Sequence, residues 1–464
     1  MQKLIAKYGA AAHLAIVAVA PLFLFPFFGA WTSAQVMLWT SLMGAVWLVL
    51  EPSLRSGERL HDARVRAAKA IRGDPLFWTM LALVAFCGMR ALNTGIDLAY
   101  DPENSTWFMS KAAMPLMPGS AGEAGRLPFA AAVSAAVLVT GCRHSLGRSA
   151  RLAFLLVASG LAGLAAVIAV VAVHTGAAAG AVAESELARS FAGFAFGVHL
   201  LCGLAAVDAV FERHWNAASP LLLFAVGGNA AGVMLFSPPY MAAFFAAAAL
   251  VEFLYVFIHA WVKLQQPVQF KILVVCGLTV GAGWLLVSSL LPAEDFASRI
   301  AAFKSVKTLF PENFAEIRAM LSRVSFEGWI SHLWAGTGVG SFPSVFRFHA
   351  TPADWALLPR GSAAAASCWW QMLTERGLVG TVGVVLPFGF LSVTYARRLM
   401  LWPRAGGMPH PACLAGLLAA AAAVASGFFD GSLIRADALT ALCSTVAISA
   451  ASFPVKKEGE SNGG

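Results

Sequence analysis

Four arginines, Arg318, Arg323, Arg347 and Arg360, fall in one polar stretch between residues 292 and 376 that carries eight basic residues in all. A guanidinium stays charged and its fork matches phosphate oxygens, so this set is suited to gripping an anion. Arg318 and Arg323 are five apart, about 140° around a helix, so they need not share a face. The competing reading is a solvated helix face, with Glu312, Glu316 and Glu327 as ion-pair partners of little energetic consequence. Beyond them, Gly336, Gly338 and Gly340 in GTGVGS resemble a phosphate cradle, yet the Gly-Lys-Ser/Thr ending of a nucleotide loop is missing. The spacing favours a tight hinge whose N–H groups can also face an anion. His332 and His349 flank that turn and are candidate general bases near neutral pH, as is Glu375.

Charges elsewhere raise the same question. Arg90, beside Asn93, lies in an apolar run, where a charge is costly unless it meets a polar cavity or ligand; the alternative is snorkelling. Asp208 and Glu252 are expected to pair locally near the cytoplasmic side, and Asp430 stands at another run's end. Asp97, Asp101 and Glu103 surround Pro102 as turn formers, and no metal site is expected of them.

The elements that position these residues follow from composition. Of 464 residues 59% are hydrophobic and 12% charged, against roughly 25% charged in soluble domains. Mean hydropathy is +0.73. Apolar runs near 10–30, 34–50, 76–98, 127–142, 152–173, 190–210, 218–236, 239–260, 271–291, 377–396, 411–429 and 434–453 predict about twelve spans. The first run lacks a convincing cleavage site and is read as a retained span. With both termini cytoplasmic, inside loops hold 19 of the 32 basic residues, in accord with the positive-inside rule. The net charge of +8 is thus explained by topology rather than by nucleic-acid binding. The seven cysteines show no ligand-like spacing. The expected organisation is an all-α polytopic transmembrane bundle: 1–291 with nine spans, a periplasmic loop domain over 292–376 containing a helix from about 303 to 330, three spans over 377–453, and a cytoplasmic tail over 454–464.

The segment from Arg318 to Gly380 resembles the signature region of the bacterial O-antigen ligase and O-antigen polymerase superfamily, membrane glycosyltransferases of the GT-C type. Arg318 precedes the Gly336, Gly338, Gly340, Phe342 turn by some eighteen residues, as in that family, with Ser322 at the family's Trp. Gln371, Leu373, Glu375, Gly377, Leu378 and Gly380 match the stretch entering the next span, and Asp430 falls on a later family Asp. The family histidines are replaced by Ala364, Ala366 and Ser426, and the Asn by Ser367.

The resemblance implies transfer of a glycan from undecaprenyl diphosphate to a lipid or glycan acceptor, at the periplasmic face of a bacterial inner membrane, without metal, nucleotide sugar or cofactor. Arg318 is the foremost diphosphate residue, with Arg90, Arg323, Arg347 and Arg360 behind it, and a base comes from His349, His332 or Glu375. Two alternatives stay open: an inactive relative that binds lipid-linked glycan or partners the envelope polysaccharide machinery, and a secondary transporter. The latter would call for inverted repeats or broken spans in matching halves.

Overall fold

The computed structural model describes residues 2–24, 30–56, 71–95, 98–101, 106–109, 119–144, 148–175, 186–213, 215–263, 280–286, 313–358, 364–401 and 411–429, with isolated positions between them. The helices are α1 (Gln2–Leu24), α2 (Ala30–Ser56), α3 (Pro75–Leu92), α4 (Arg126–His144), α5 (Arg148–His174), α6 (Glu186–Arg213), α7 (Trp215–Phe236), α8 (Pro239–Lys263), α9 (Phe314–Ser331), α10 (Phe342–His349), α11 (Pro352–Leu357), α12 (Cys368–Leu401) and α13 (Pro411–Phe429). One departure from an all-α fold is a short antiparallel hairpin between α3 and α4, Leu98–Asp101 with Thr106–Met109.

Five helical stretches among the described residues are long and apolar enough to cross a membrane: Pro75–Leu92, Arg126–His144, Ala153–Val173, Pro239–His259 and Pro411–Phe429. Shorter apolar helices cover Tyr8–Phe23, Ala34–Leu48, Ala192–Val207 and Pro220–Phe236. Large apolar side chains stay exposed along them, such as Leu250, Val251, Leu254, Ile258 and Trp261 on α8. A face like that has no aqueous rationale and suits lipid. The chain is therefore a helical protein of the membrane type. The run at 434–453 lies outside the described residues, and the run at 377–396 belongs to the longer α12.

Inside the bundle, small residues let backbones approach, as expected where lipid and core are equally apolar. A Cβ on Gly228 would strike the main chain of Gly163, and one on Gly193 would strike Ser237. Punctuation is local: Asp74 caps α3 by accepting from the Leu76 N–H, with Pro75 at the first helical position. The polar segment between α8 and α12 builds a small core of its own from Met320, Leu321, Val324, Phe342, Val345 and Phe346. Its helix starts at Phe314, later than the expected 303; positions 302–309 lie outside the described residues.

Candidate functional site

The glycine turn is a backbone junction. Gly336, Gly338 and Gly340 all have positive φ (71°, 108° and 78°), a region closed to most side chains. The Gly336 N–H donates to His332 O, Thr337 to Thr374 O, Gly338 to Glu375 O, Val339 to Gly119 O and Ser341 to Gly338 O. The remaining two, Gly340 and Phe342, donate to the Glu375 carboxylate, which also accepts from Gln371 Nε2 at 3.1 Å. The loop does offer N–H groups to an anion, and that anion is the protein's own Glu375. Buried and fully engaged, Glu375 is a plug in the turn and not a base open to an acceptor.

Opposite this turn α12 is broken at Gly377 (φ 64°). Arg90, 1% exposed, reaches across from α3 to main-chain carbonyls on both sides of the junction. Its Nη1 donates to Glu375 O (2.8 Å) and its Nη2 to Ala335 O (2.7 Å) and Arg376 O (3.1 Å), with the guanidinium 4.7 Å from the Phe86 ring. Arg90 neither snorkels nor presents a fork to a diphosphate; it ties three chain segments together.

Arg318 occupies a different setting. Its Nη2 donates to the carbonyl of Phe428 in the last turn of α13, a helix end that attracts cations. The guanidinium lies 5.3 Å from the Phe429 ring and 6.0 Å from Phe314. Phe310 and Tyr240 stack behind them, 5.5 Å apart. Nη1 is buried with no hydrogen-bond partner, and so is Nε1 of Trp369, whose ring sits 6.1 Å from that of Phe428. Two donors without acceptors beside one helix end leave hydrogen-bonding capacity that an acceptor-rich group would satisfy.

Arg323 is held by carboxylates: Nη1 meets Glu327 at 2.9 Å and Nη2 meets Asp354. Asp354 forms a capping box with Thr351 at the start of α11. Burial pushes the Asp354 carboxyl up, but the Thr351 hydrogen bonds and Arg323 outweigh it and hold it below the usual range. His349 turns Nδ1 toward Glu327 at 3.4 Å. Burial lowers its basicity and that of His332, and the two rings are close enough to feel each other. His332 caps the end of α9, its Nδ1 3.2 Å from Ser331 Oγ.

Glu327 and Arg318 are nine residues apart on α9, about 13 Å along the axis and half a turn around it. The candidate base and the candidate diphosphate residue therefore lie on opposite flanks. Arg347 is exposed on α10. Arg360, Asp430, Asp97 and Glu103 lie outside the described residues, as do the side chains of Asp101 and Asp208. Of the positions that the resemblance sets against histidines, Ala366 is buried in the loop core and Ser426 donates to Ala423 O. Glu252 does not pair locally: both of its oxygens are buried without a partner.

Sequence reading missed Asp354, although Thr351 three residues ahead of it is the spacing of a capping box. Trp369, Phe429 and Tyr240 gave no local signal; only the tertiary fold brings them near Arg318. The sequence matches no protein-family profile and no curated protein.

Proposed function

We propose that the protein handles glycans carried on undecaprenyl diphosphate at the periplasmic face of a bacterial inner membrane, as an O-antigen ligase-like or polymerase-like protein of about twelve spans. One observation carries this reading: a buried, unpaired guanidinium nitrogen on Arg318, at the meeting of a loop helix and the end of an apolar helix. Aromatic rings wall that position, so a ligand with an anionic head and an apolar tail fits it better than a fully hydrated ion. The leaving diphosphate would be stabilised there as charge develops. In transfer, an acceptor hydroxyl attacks the sugar C1, the bond from C1 to the diphosphate oxygen breaks, and the acceptor proton passes to a base.

A second reading, a relative that binds the lipid-linked glycan without transferring it, is favoured by the base side of the arrangement. Glu375 is enclosed in the glycine turn, and the His349–Glu327 pair faces away from Arg318. Membranes supplied with a photo-crosslinkable polyprenyl-diphosphate glycan test both readings through donor capture and glycan transfer. Arg318→Ala should abolish capture; undiminished capture removes the proposed site. Transfer by the parent that His349→Ala eliminates supports catalysis, whereas capture without transfer supports the binding reading.

A further inference from the structure

Glu252 is residue 14 of the 25-residue α8, about 20 Å from one end and 16 Å from the other. It is 0% exposed and neither carboxylate oxygen has a hydrogen-bond partner. Leu250, Val251, Leu254 and Ile258 occupy the exposed face of the helix, while Phe245, Ala248, Glu252, Val256 and His259 form the buried one. That buried stripe belongs with α6 and α13, the main neighbours of α8. Gly193 lies against Ser237 and Gly197 against Phe245, so α6 and α8 run in the same direction. Seven residues further along both, Glu252 comes level with Leu204. At the same depth α13 offers Cys413, Leu414, Ala415 and Gly416 and then only Leu and Ala up to Ala420.

The titratable groups on these helices are few. Among the described side chains they are His199, buried without a partner, and Cys202 on α6, Tyr240, Tyr255 and His259 on α8, each with contacts of its own, and Cys413 on α13; the side chains of Glu186, Arg189, Asp208, Glu212, Arg213 and Lys263 are outside the described set. Across 220–236 of α7 there is none. Among the described side chains of these four helices there is no Lys or Arg to neutralise the carboxylate. A charge left alone at this depth is among the costliest arrangements a membrane protein can hold. The described residues supply no counter-charge, and the close packing of small residues admits only a small one from outside. A metal cation asks for several oxygen ligands, and among the described residues no group of three His, Cys, Asp or Glu is available. A proton needs none.

We propose that Glu252 is a cation-exchange site in the interior of the bundle and that its ligand is a proton. The site lies apart from Arg318 and is independent of the function proposed above. Infrared spectroscopy of the full-length protein in liposomes tests it, using Glu252→Gln as the subtraction reference and Glu252→Asp as a second variant. The parent should show a carboxylic-acid C=O band that moves on transfer to D2O and fades as pH rises. The band should be missing from Glu252→Gln and displaced in frequency in Glu252→Asp. A band blind to both D2O and pH would mean a sealed acid that exchanges nothing, and would overturn the proposal. So would the lack of any band at every pH, or a band that Na+ removes at constant pH, which would make the ligand a metal cation.

Discussion

Gly336 and Gly377 meet main chain against main chain across the break in α12. A Cβ on Gly336 would lie within 3 Å of Gly377 N, Arg376 N and Glu375 C, and one on Gly377 would lie within 3 Å of Trp334 O and Gly336 N. Both residues have left-handed φ, 71° and 64°. Alanine at either position adds left-handed strain of roughly 1–2 kcal/mol to overpacking of roughly 1–3 kcal/mol. Each substitution should therefore lower the thermal midpoint sharply in detergent. Gly383, with nothing near its missing Cβ, is the control: Gly383→Ala should leave the midpoint level or raise it slightly. Equal midpoints for the Gly377→Ala and Gly383→Ala proteins would show that the contact is not tight.

Arg90 secures the same junction from the other side. Arg90→Ala removes three hydrogen bonds to main-chain carbonyls, of which Glu375 O keeps the Gly338 N–H, and each buried group left unsatisfied costs about 1–3 kcal/mol. Arg90→Lys keeps the charge but not the planar fork that spans them. Both variants should destabilise the protein, with Lys recovering a minor part. Their expression and thermal midpoints should fall well before donor capture per folded molecule changes. A loss of capture at full stability would instead make Arg90 a ligand-binding residue.

Much of this junction was legible in the residues. Alternate glycines announced a tight turn, and a lone arginine in an apolar run announced a tertiary demand. What the sequence could not tell was which groups would answer that demand. Arg90 finds its carbonyls 245 to 286 positions away, and no periodicity reaches that far. Glu375 reads as a candidate base because it falls on a motif position of the resembled family and that family's histidines are replaced. Its role as the anion inside the turn depends on the fold bringing Gly340 and Phe342 to it. Arg318 was singled out by motif spacing, but its aromatic surround comes from the ends of α8 and α13, each far off in the chain.

Asp74 gathers Arg143 Nε at 3.0 Å, Arg143 Nη2 at 3.2 Å and His144 Nε2 at 2.8 Å, pinning the start of α3 to the end of α4. Burial pushes its carboxyl up, but the His144 hydrogen bond and the Arg143 charge prevail, and it sits below the ordinary carboxylate value. A depressed acid contributes stability that is present above its unfolded pKa, about 3.9, and is lost as pH falls below that. Asp74→Asn should cost about 1.5–3 kcal/mol at pH 7. The gap between variant and parent in unfolding midpoint should narrow on acidification; a gap constant down to pH 3 would count against the triad.

His332 and His349 give the loop domain a dependence of the same sign, nearer to neutrality. Burial holds both below the ordinary histidine value; for His349 the pull of Glu327 upward is outweighed by burial with Arg323 and His332. The unfolded loop therefore binds protons more readily than the folded one. Its stability is complete above about pH 6.5 and declines as pH drops below it. Limited proteolysis should cut the 313–358 region faster at pH 5 than at pH 7.5. Substituting both histidines by Gln should flatten that dependence, and parallel profiles for variant and parent would show that neither ring senses the fold.

At Arg318 charge, geometry and aromatic contact can be separated. Arg318→Lys retains a cation but loses the second nitrogen, so the bond to Phe428 O and the proposed grip on a diphosphate would compete for one ammonium. Capture of a polyprenyl-diphosphate donor should weaken about tenfold, which is about 1.4 kcal/mol. Phe429→Leu keeps an apolar wall and removes a ring face 5.3 Å from the guanidinium. That contact is worth roughly 0.5–2 kcal/mol, so capture should weaken by a few-fold up to about thirtyfold. Trp369→Phe deletes only the Nε1 donor and should weaken capture if that buried N–H also meets the ligand. If Arg318→Lys and Phe429→Leu both bind the donor like the parent, the cation is a helix-end cap and the diphosphate is held elsewhere.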